Sequence, residues 1–343
     1  MYLLYGDKPV CFYKAEIEEF RDPNPEWKWI QLNNDMSIGK VTEPHKAGMV
    51  SIKLSIHDRT IDGPINFEQF DAWKKPPLKR LNIKKARVYL FQCRDLPAAD
   101  TDGQSDPYIK FWDTTNEVKK TTIINDNLNP MFYETVELII ETNKVEDMPP
   151  FIMDIYDYDG GGLDADDFIA RAVIPIKDAV YSEDDEIPRP KWYPCRLTPK
   201  GPMSGEILCS FSIVIDDFNY KVPLNYVKLR NQVETPEFIV DINILGLRDL
   251  QSVGILPVKK AFINFQMKSL VPPEDGVSLD NVRTQPSAAG PNPTINTAIQ
   301  IKVPLPKDPL FCPRLQCTVH DYIFRGFSQP MIGSFIIPVG ELI

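Results

Sequence analysis

Short runs of alternating apolar and polar residues dominate the chain, and each closes at proline, glycine, asparagine or aspartate. MVSIKLSIH (49–57), ARVYLFQC (86–93), TVELIIE (135–141), ILCSFSIVI (207–215) and EFIVDINIL (237–245) carry the two-residue period of strands with one face in a core. They are rich in β-branched side chains, and no stretch keeps a long helical period. The pattern predicts antiparallel strands stacked as sandwiches. Composition shifts divide it into an N-terminal piece (1–60), a linker (61–83), a central β-domain (84–217), a linker (218–235) and a C-terminal β-domain (236–343). A loop rich in proline, glycine, serine and asparagine is expected over 272–293.

The two larger units read as copies. RVYLFQCRDL (87–96) corresponds to VDINILGLRDL (240–250), and FIARAVIP (168–175) to MIGSFIIP (331–338). WYPCRL (192–197) followed by GEILCSFSIVI (205–215) closes the central unit, and WKWIQL (27–32) followed by AGMVSIKLSIH (47–57) repeats that ending. Residues 1–60 are therefore expected to be the C-terminal part of a preceding β-module. The last unit stops at VGELI, before closing strands of its own, so the chain is expected to be a piece of a longer protein.

Composition narrows the chemistry. The 343 residues include 32 prolines, which disfavours long helices. With 38 basic and 48 acidic residues the net charge is −10, which argues against a duplex nucleic-acid binder held by phosphate contacts. No apolar run reaches the roughly 18 residues of a membrane span, and residues 1–10 lack the features of a signal peptide. Six cysteines without a CxxC pair predict reduced thiols rather than disulfides or zinc. The three histidines form no constellation, and Trp27, Trp29, Trp112 and Trp192 are read as core anchors.

Chemistry concentrates in RDLPAADTDGQSDPYIKF (94–111) and IYDYDGGGLDADDFIA (155–170). Both acidic clusters adjoin apolar strands, which puts them on loops at one end of a sandwich. So many carboxylates repel one another unless a cation neutralises them. Calcium takes 6–8 oxygen ligands in flexible geometry, whereas magnesium demands a tighter octahedron. DTDG and DYDG echo an EF-hand loop, but Phe111 and Phe168 stand where its twelfth-position glutamate belongs. GGG at 160–162 lacks the GK[ST] of a phosphate loop, and GPMSG at 201–205 lacks the GxSxG spacing of a nucleophile elbow.

DTDGQSDPY (100–108), KTTIINDNLNPMFYE (120–134), and the DYD and DF of the second cluster resemble the C2 domain, a calcium- and phospholipid-binding β-sandwich. The closing strand after WYPCRL resembles the permuted, type II order of that fold. The resemblance implies five ligand aspartates, Asp100, Asp106, Asp157, Asp159 and Asp167, with the carbonyls of Ala99 and Tyr158 as further ligands of Ca2+. The third loop is two residues longer than the usual spacing, so Asp164 and Asp166 stand as substitutes for Asp167. Leu163 is the apolar tip residue, and Lys119 and Lys120 are candidate lipid contacts. Docking is expected to be mostly electrostatic, on anionic lipid, with shallow penetration. In the second copy Gly254, Lys260, Asp321, Ile323 and Pro330 occupy the five positions, so that copy is expected not to bind calcium.

The tandem order resembles the ferlins, multi-C2 proteins of vesicle fusion. TPEFIVDINILGLRDL (235–250), residues 308–343 and GDKPVCFYKAEI (6–17) carry that likeness. It implies a calcium-dependent phospholipid-binding module without enzymatic activity, acting in vesicle trafficking and membrane fusion. It also implies fusion-machinery proteins as further partners, no nucleic acid, and a site on the cytoplasmic side of vesicle or plasma membrane, held by an anchor outside this chain. The alternatives are a calcium-independent C2 scaffold for protein–protein interaction and the regulatory part of a lipid-signalling enzyme.

Overall fold

The structure is a computed structural model that describes residues 2–5, 8–20, 26–34, 48–54, 82–99, 103–112, 119–142, 145, 148–160, 166–182, 187–199, 201–214, 229–252, 257–268, 270 and 282–343. Near the N-terminus β1 (Tyr2–Tyr5), β2 (Lys8–Phe12) and β4 (Asn33–Asn34) form one small sheet, and β3 (Lys28–Gln31) pairs antiparallel with β5 (Met49–Ile52). Trp27 and Trp29 are 64 % and 37 % exposed. They do not anchor a core, because among the described residues β3 has a single partner strand and one buried position, Ile30.

The central sandwich contains β6 (Asn82–Arg94), β7 (Pro107–Phe111), β8 (Lys119–Lys120), β9 (Met131–Thr142), β10 (Phe151–Asp157), β11 (Phe168–Ile174), β12 (Val180–Ser182), β13 (Lys191–Arg196) and β14 (Met203–Val214). The order is β8-β7-β10-β11-β13-β14-β6-β9, with β12 alongside β14. The last long strand, β14, lies between β13 and the first strand β6, as expected of the permuted order. Ala86, Val88 and Leu90 of β6 point into the core with Ile109, Leu138, Met153, Ile155 and Phe211. Pro107 opens β7, where no ladder donor is needed, and Pro194 sits beside a register shift in β13.

The second unit contains β15 (Glu237–Gly246), β16 (Ala261–Gln266), β17 (Val282–Arg283), β18 (Thr294–Pro304), β19 (Arg314–Asp321) and β20 (Met331–Pro338). β15 pairs with β18, and β17-β16-β19-β20 form the facing sheet. The loop expected over 272–293 thus contains a strand, β17, and the next residue, Thr284, accepts the Ile263 N–H on its hydroxyl.

The two units share one main-chain grid. Thr121 receives the Ile109 N–H as Thr284 receives that of Ile263, both at 3.0 Å. Asp95 and Asp249 both have φ 55°, and their N–H groups donate to Asn129 and Asn292. Leu96 N–H reaches Leu128 O as Leu250 N–H reaches Pro291 O. Tyr133 and Asn296, at φ 52° and 49°, follow the register shifts by which β9 and β18 cross β6 and β15. These main-chain bonds therefore recur at matching places in the two units.

The units also pack on each other. Tyr89, Phe91, Met131, Tyr133 and Leu208, on the outer face of the β13-β14-β6-β9 layer, are buried with Leu229 and Val233 of the connecting segment and Leu270 of the second unit. Phe91 stacks edge-on to Tyr133 at 5.5 Å and against Phe311 at 5.3 Å. Ion pairs Arg189–Asp308 (2.9 Å) and Arg314–Asp95 (3.3 Å) border the contact. This second layer explains why β6 is buried on both faces.

Candidate functional site

Three neighbouring strands end together at one pole of the central sandwich. Asp106 precedes β7, Asp157 ends β10, and Asp167 precedes β11; Asp157 is in register with Pro107. Strands lie about 4.8 Å apart, so the three aspartates stand in a row at that spacing. Main-chain bonds lock the row. Tyr158 N–H donates to Asp106 O (3.2 Å), and Asp157 N–H to Asp167 O (2.8 Å).

The carboxylates are oriented by N–H donors. Asp157 Oδ1 accepts the Asp106 N–H at 2.5 Å, and Asp106 Oδ1 accepts the Asp126 N–H at 2.8 Å. Asp159 Oδ2 accepts the Asp167 N–H at 3.2 Å. Asp166 takes another role: its Oδ1 accepts the Asp159 N–H and its Oδ2 a short bond from the Tyr108 hydroxyl. Burial, and then this bond, push the Tyr108 phenol well above its ordinary pKa. Asp157 is buried, whereas Asp159 and Asp167 are exposed. The N–H of Ala99 is held by the Ser105 hydroxyl (2.9 Å), and the Tyr158 side chain is 36 % exposed.

Carboxylate and main-chain oxygens without nitrogen or sulfur are the donor chemistry of a hard cation such as calcium. Among the described residues no three His, Cys, Asp or Glu side chains converge closely enough to hold an ion. Asp100, Leu163 and Asp164 lie outside the described residues.

Lys119 and Lys120 fall on the edge strand β8. Lys120 is in register with Lys110, four residues (about 13 Å) along the chain from Asp106 of the acidic row. Lys110 Nζ lies 3.8 Å over the Tyr156 ring and Lys120 Nζ 5.6 Å from that of Tyr108. The lysines thus border the flank of the sheet, not its pole.

The pole of the second unit repeats the grid with different side chains. Tyr322 N–H donates to Lys260 O and Asp321 N–H to Pro330 O, as Tyr158 and Asp157 do in the first. Asp321 is buried, and its carboxylate accepts the N–H groups of Lys259 and Lys260 at 2.8–3.0 Å. Gly254 lies outside the described residues. Two features escaped the sequence reading. One is the contact between the poles, where Gly103, φ 87°, is buried so closely against Met331 that a Cβ would collide with it. The other is the exposed turn Phe324–Gly326, whose signal was FRGF, two aromatics around a cation at a loop apex.

Residues 84–195 match the C2 domain family model. The chain is 29 % identical to human (Homo sapiens) myoferlin over 278 residues, and 23 % identical to mouse (Mus musculus) Fer-1-like protein 4 over 283. These alignments cover 75 % and 74 % of this chain but 13 % of each relative, so the chain spans about an eighth of the length of the curated relatives it matches. Among solved structures it is similar to the calcium-bound tandem C2 domains of extended synaptotagmin 2, at 15 % identity and a TM-score of 0.31, over 77 % of this chain and 87 % of that one.

Proposed function

We propose, from the premise that residues 84–195 form a C2 domain in a chain related to the ferlins over three quarters of its length, that the central unit is a calcium-dependent phospholipid-docking module of membrane trafficking. One observation carries the reading: the strand grid sets Asp106, Asp157 and Asp167 side by side at one pole, with Asp159 next to them. Asp100, Asp106, Asp157, Asp159 and Asp167 would hold Ca2+, with the carbonyls of Ala99 and Tyr158. The ion supplies positive charge at a pole that otherwise repels anionic headgroups. The protein's part is to fix the oxygens: N–H groups of Asp106, Asp126 and Asp167 turn the carboxylates, and the Tyr108 hydroxyl holds Asp166 aside. Screening limits the attraction to about 8–10 Å at physiological salt, so docking requires the pole to face the bilayer. In this reading the module works on the cytoplasmic side of a vesicle or plasma membrane, alongside fusion-machinery proteins, with no catalytic step of its own.

The test is co-sedimentation of the 343-residue chain with phosphatidylserine-containing vesicles, with calcium and with EGTA. Calcium is expected to raise binding, and Asp157→Asn with Asp159→Asn to abolish the increment. Equal binding by wild type and variant in calcium removes the reading. A second reading, a calcium-independent scaffold, is favoured by the N–H donors already engaging these carboxylates. It predicts no heat of calcium binding in calorimetry.

A further inference from the structure

A cleft of about 300 Å³ lies between the ribbon β3–β5 and the outer face of β11 and β13 in the central sandwich. That is the small end of the range of ligand pockets, roughly 300–1,000 Å³. Strand register builds it. Arg171 lies opposite Arg196, so Arg171 and Val173 of β11 share a face with Pro194 and Arg196 of β13, away from the core residues Ala170, Ala172 and Cys195. Trp29 and Gln31, two apart on β3, and Met49, paired with Gln31 on β5, form the facing wall. Leu197 and Pro199 complete the lining used below.

The cationic groups of the cleft have donors to spare. Arg171 is 4 % exposed, and its Nε and Nη2 donate to Asp154 at 2.6 and 2.9 Å. Its remaining nitrogen, Nη1, is buried and has no partner among the described residues. A buried donor without an acceptor is costly, and an acceptor entering the cleft that Arg171 lines relieves it. Arg196 is positioned by one bond, from Nη1 to Gly201 O at 2.5 Å, in a turn closed by Gly201 N–H on Thr198 O at 3.0 Å. It has no carboxylate partner among the described residues.

The charge can be counted. None of the lining residues is acidic. The carboxylates that the register brings nearest are both engaged: Asp154, opposite Arg171, with that arginine, and Glu206, opposite Pro194, with Arg94 at 2.6 Å. One uncompensated positive charge remains, on Arg196. It matches a carboxylate, a planar monoanion whose two oxygens suit guanidinium N–H groups, better than a phosphate dianion. Trp29, Met49, Val173 and Leu197 offer apolar surface to the rest of such a molecule.

We propose that this cleft binds a small organic carboxylate with an apolar body, its oxygens bridging Arg196 and Arg171 Nη1 and its body against Trp29. The inference is independent of the proposed cation pole. Arg171 lies four residues, about 13 Å, along the chain from Asp167, and the cleft needs no ion.

The test titrates the 343-residue chain, in EGTA, with 3-phenylpropionate, with its amide, and with 3-phenylpropyl phosphate. Calorimetry is expected to show the carboxylate binding at least roughly tenfold more tightly than the amide. In methyl-labelled protein the Met49 signal, identified by its loss in Met49→Leu, should shift on titration. Arg196→Gln is expected to weaken carboxylate binding at least roughly tenfold, and Trp29→Ser roughly threefold or more. Both side chains stand outside the packed core, so a thermal melt should be unchanged. Lys307→Gln, exposed on the second unit, should leave binding as it is. Where Arg196→Gln lowers the melt, the amide comparison and the Met49 shift decide. A Met49 methyl that does not move, an amide that binds as tightly as the carboxylate, a phosphate ester that binds more tightly, or a folded Arg196→Gln chain that binds like wild type overturns the proposal.

Discussion

Asp154 and Arg171 face each other across β10 and β11 as a cross-strand pair. The carboxylate accepts two guanidinium bonds, at 2.6 and 2.9 Å, and a third from the Trp112 indole at 2.8 Å; both charged side chains are 3 % exposed. Removing one partner strands a buried charge. Asp154→Ala is therefore expected to cost about 3–5 kcal/mol, readable as a lower urea midpoint. A second residue-scale prediction concerns the thiols, all six of which are buried and free, as the absence of CxxC implied. Burial pushes Cys195 and Cys317 up to about 12 from 9.0, and raises Cys93 and Cys209 as well. From pH 9 upward the native state then holds more protons than the unfolded one, so stability is full below 9 and falls as pH rises towards 12. The slope is about 1.4 kcal/mol per pH unit for each thiol. Urea midpoints at pH 8 and pH 10 should show the fall, and Cys195→Ala should make it shallower. That Asp106, Asp157, Asp159 and Asp167 stand at one end of the sandwich was legible, because both acidic clusters adjoin apolar strands; the ligand role came only from the resemblance. Asp154–Arg171 was not legible, because only the strand register brings those two together.

At the level of single elements, the alternating pattern located β6, β9, β14 and β15, since one face of each meets a core. It missed where strands bend. β6 crosses β14 at a register shift between Leu208 and Cys209, and β14 passes through Gly205, at φ 91°, where its register against β13 also shifts. A Cβ on Gly205 would stand 2.8 Å from Leu96 Cδ2 and 2.9 Å from Arg94 O. Gly205→Ala is expected to lower stability by more than about 1 kcal/mol, visible in the thermal midpoint. Strand β15 has β18 on one side and no partner among the described residues on the other, with Ile239 60 % and Leu245 77 % exposed. Open apolar edges invite association between chains. Ile239→Lys is expected to reduce concentration-dependent light scattering while leaving the melt unchanged.

Across the whole molecule the decisive contact is the one around Phe91 and Phe311. Its residues looked like ordinary strand and loop positions, and a duplicated sequence says nothing about which faces of its copies meet. Arg189–Asp308 and Arg314–Asp95 depend on that docking too. The shared cluster should make the two units unfold together. Phe311→Ala is expected to cost about 3 kcal/mol or more of that coupling, and to split a single calorimetric transition into two.

The hydrogen-bond grid common to both poles has a practical corollary. Lys260 and Pro330 already stand on backbone that corresponds to that of Asp106 and Asp167, beside Asp321. Aspartates transplanted to these two positions would keep the main-chain bonds that the poles share. On the proposed reading, ion binding follows from the side chains mounted on a common frame, and a swap between halves is the direct way to see how little else distinguishes them.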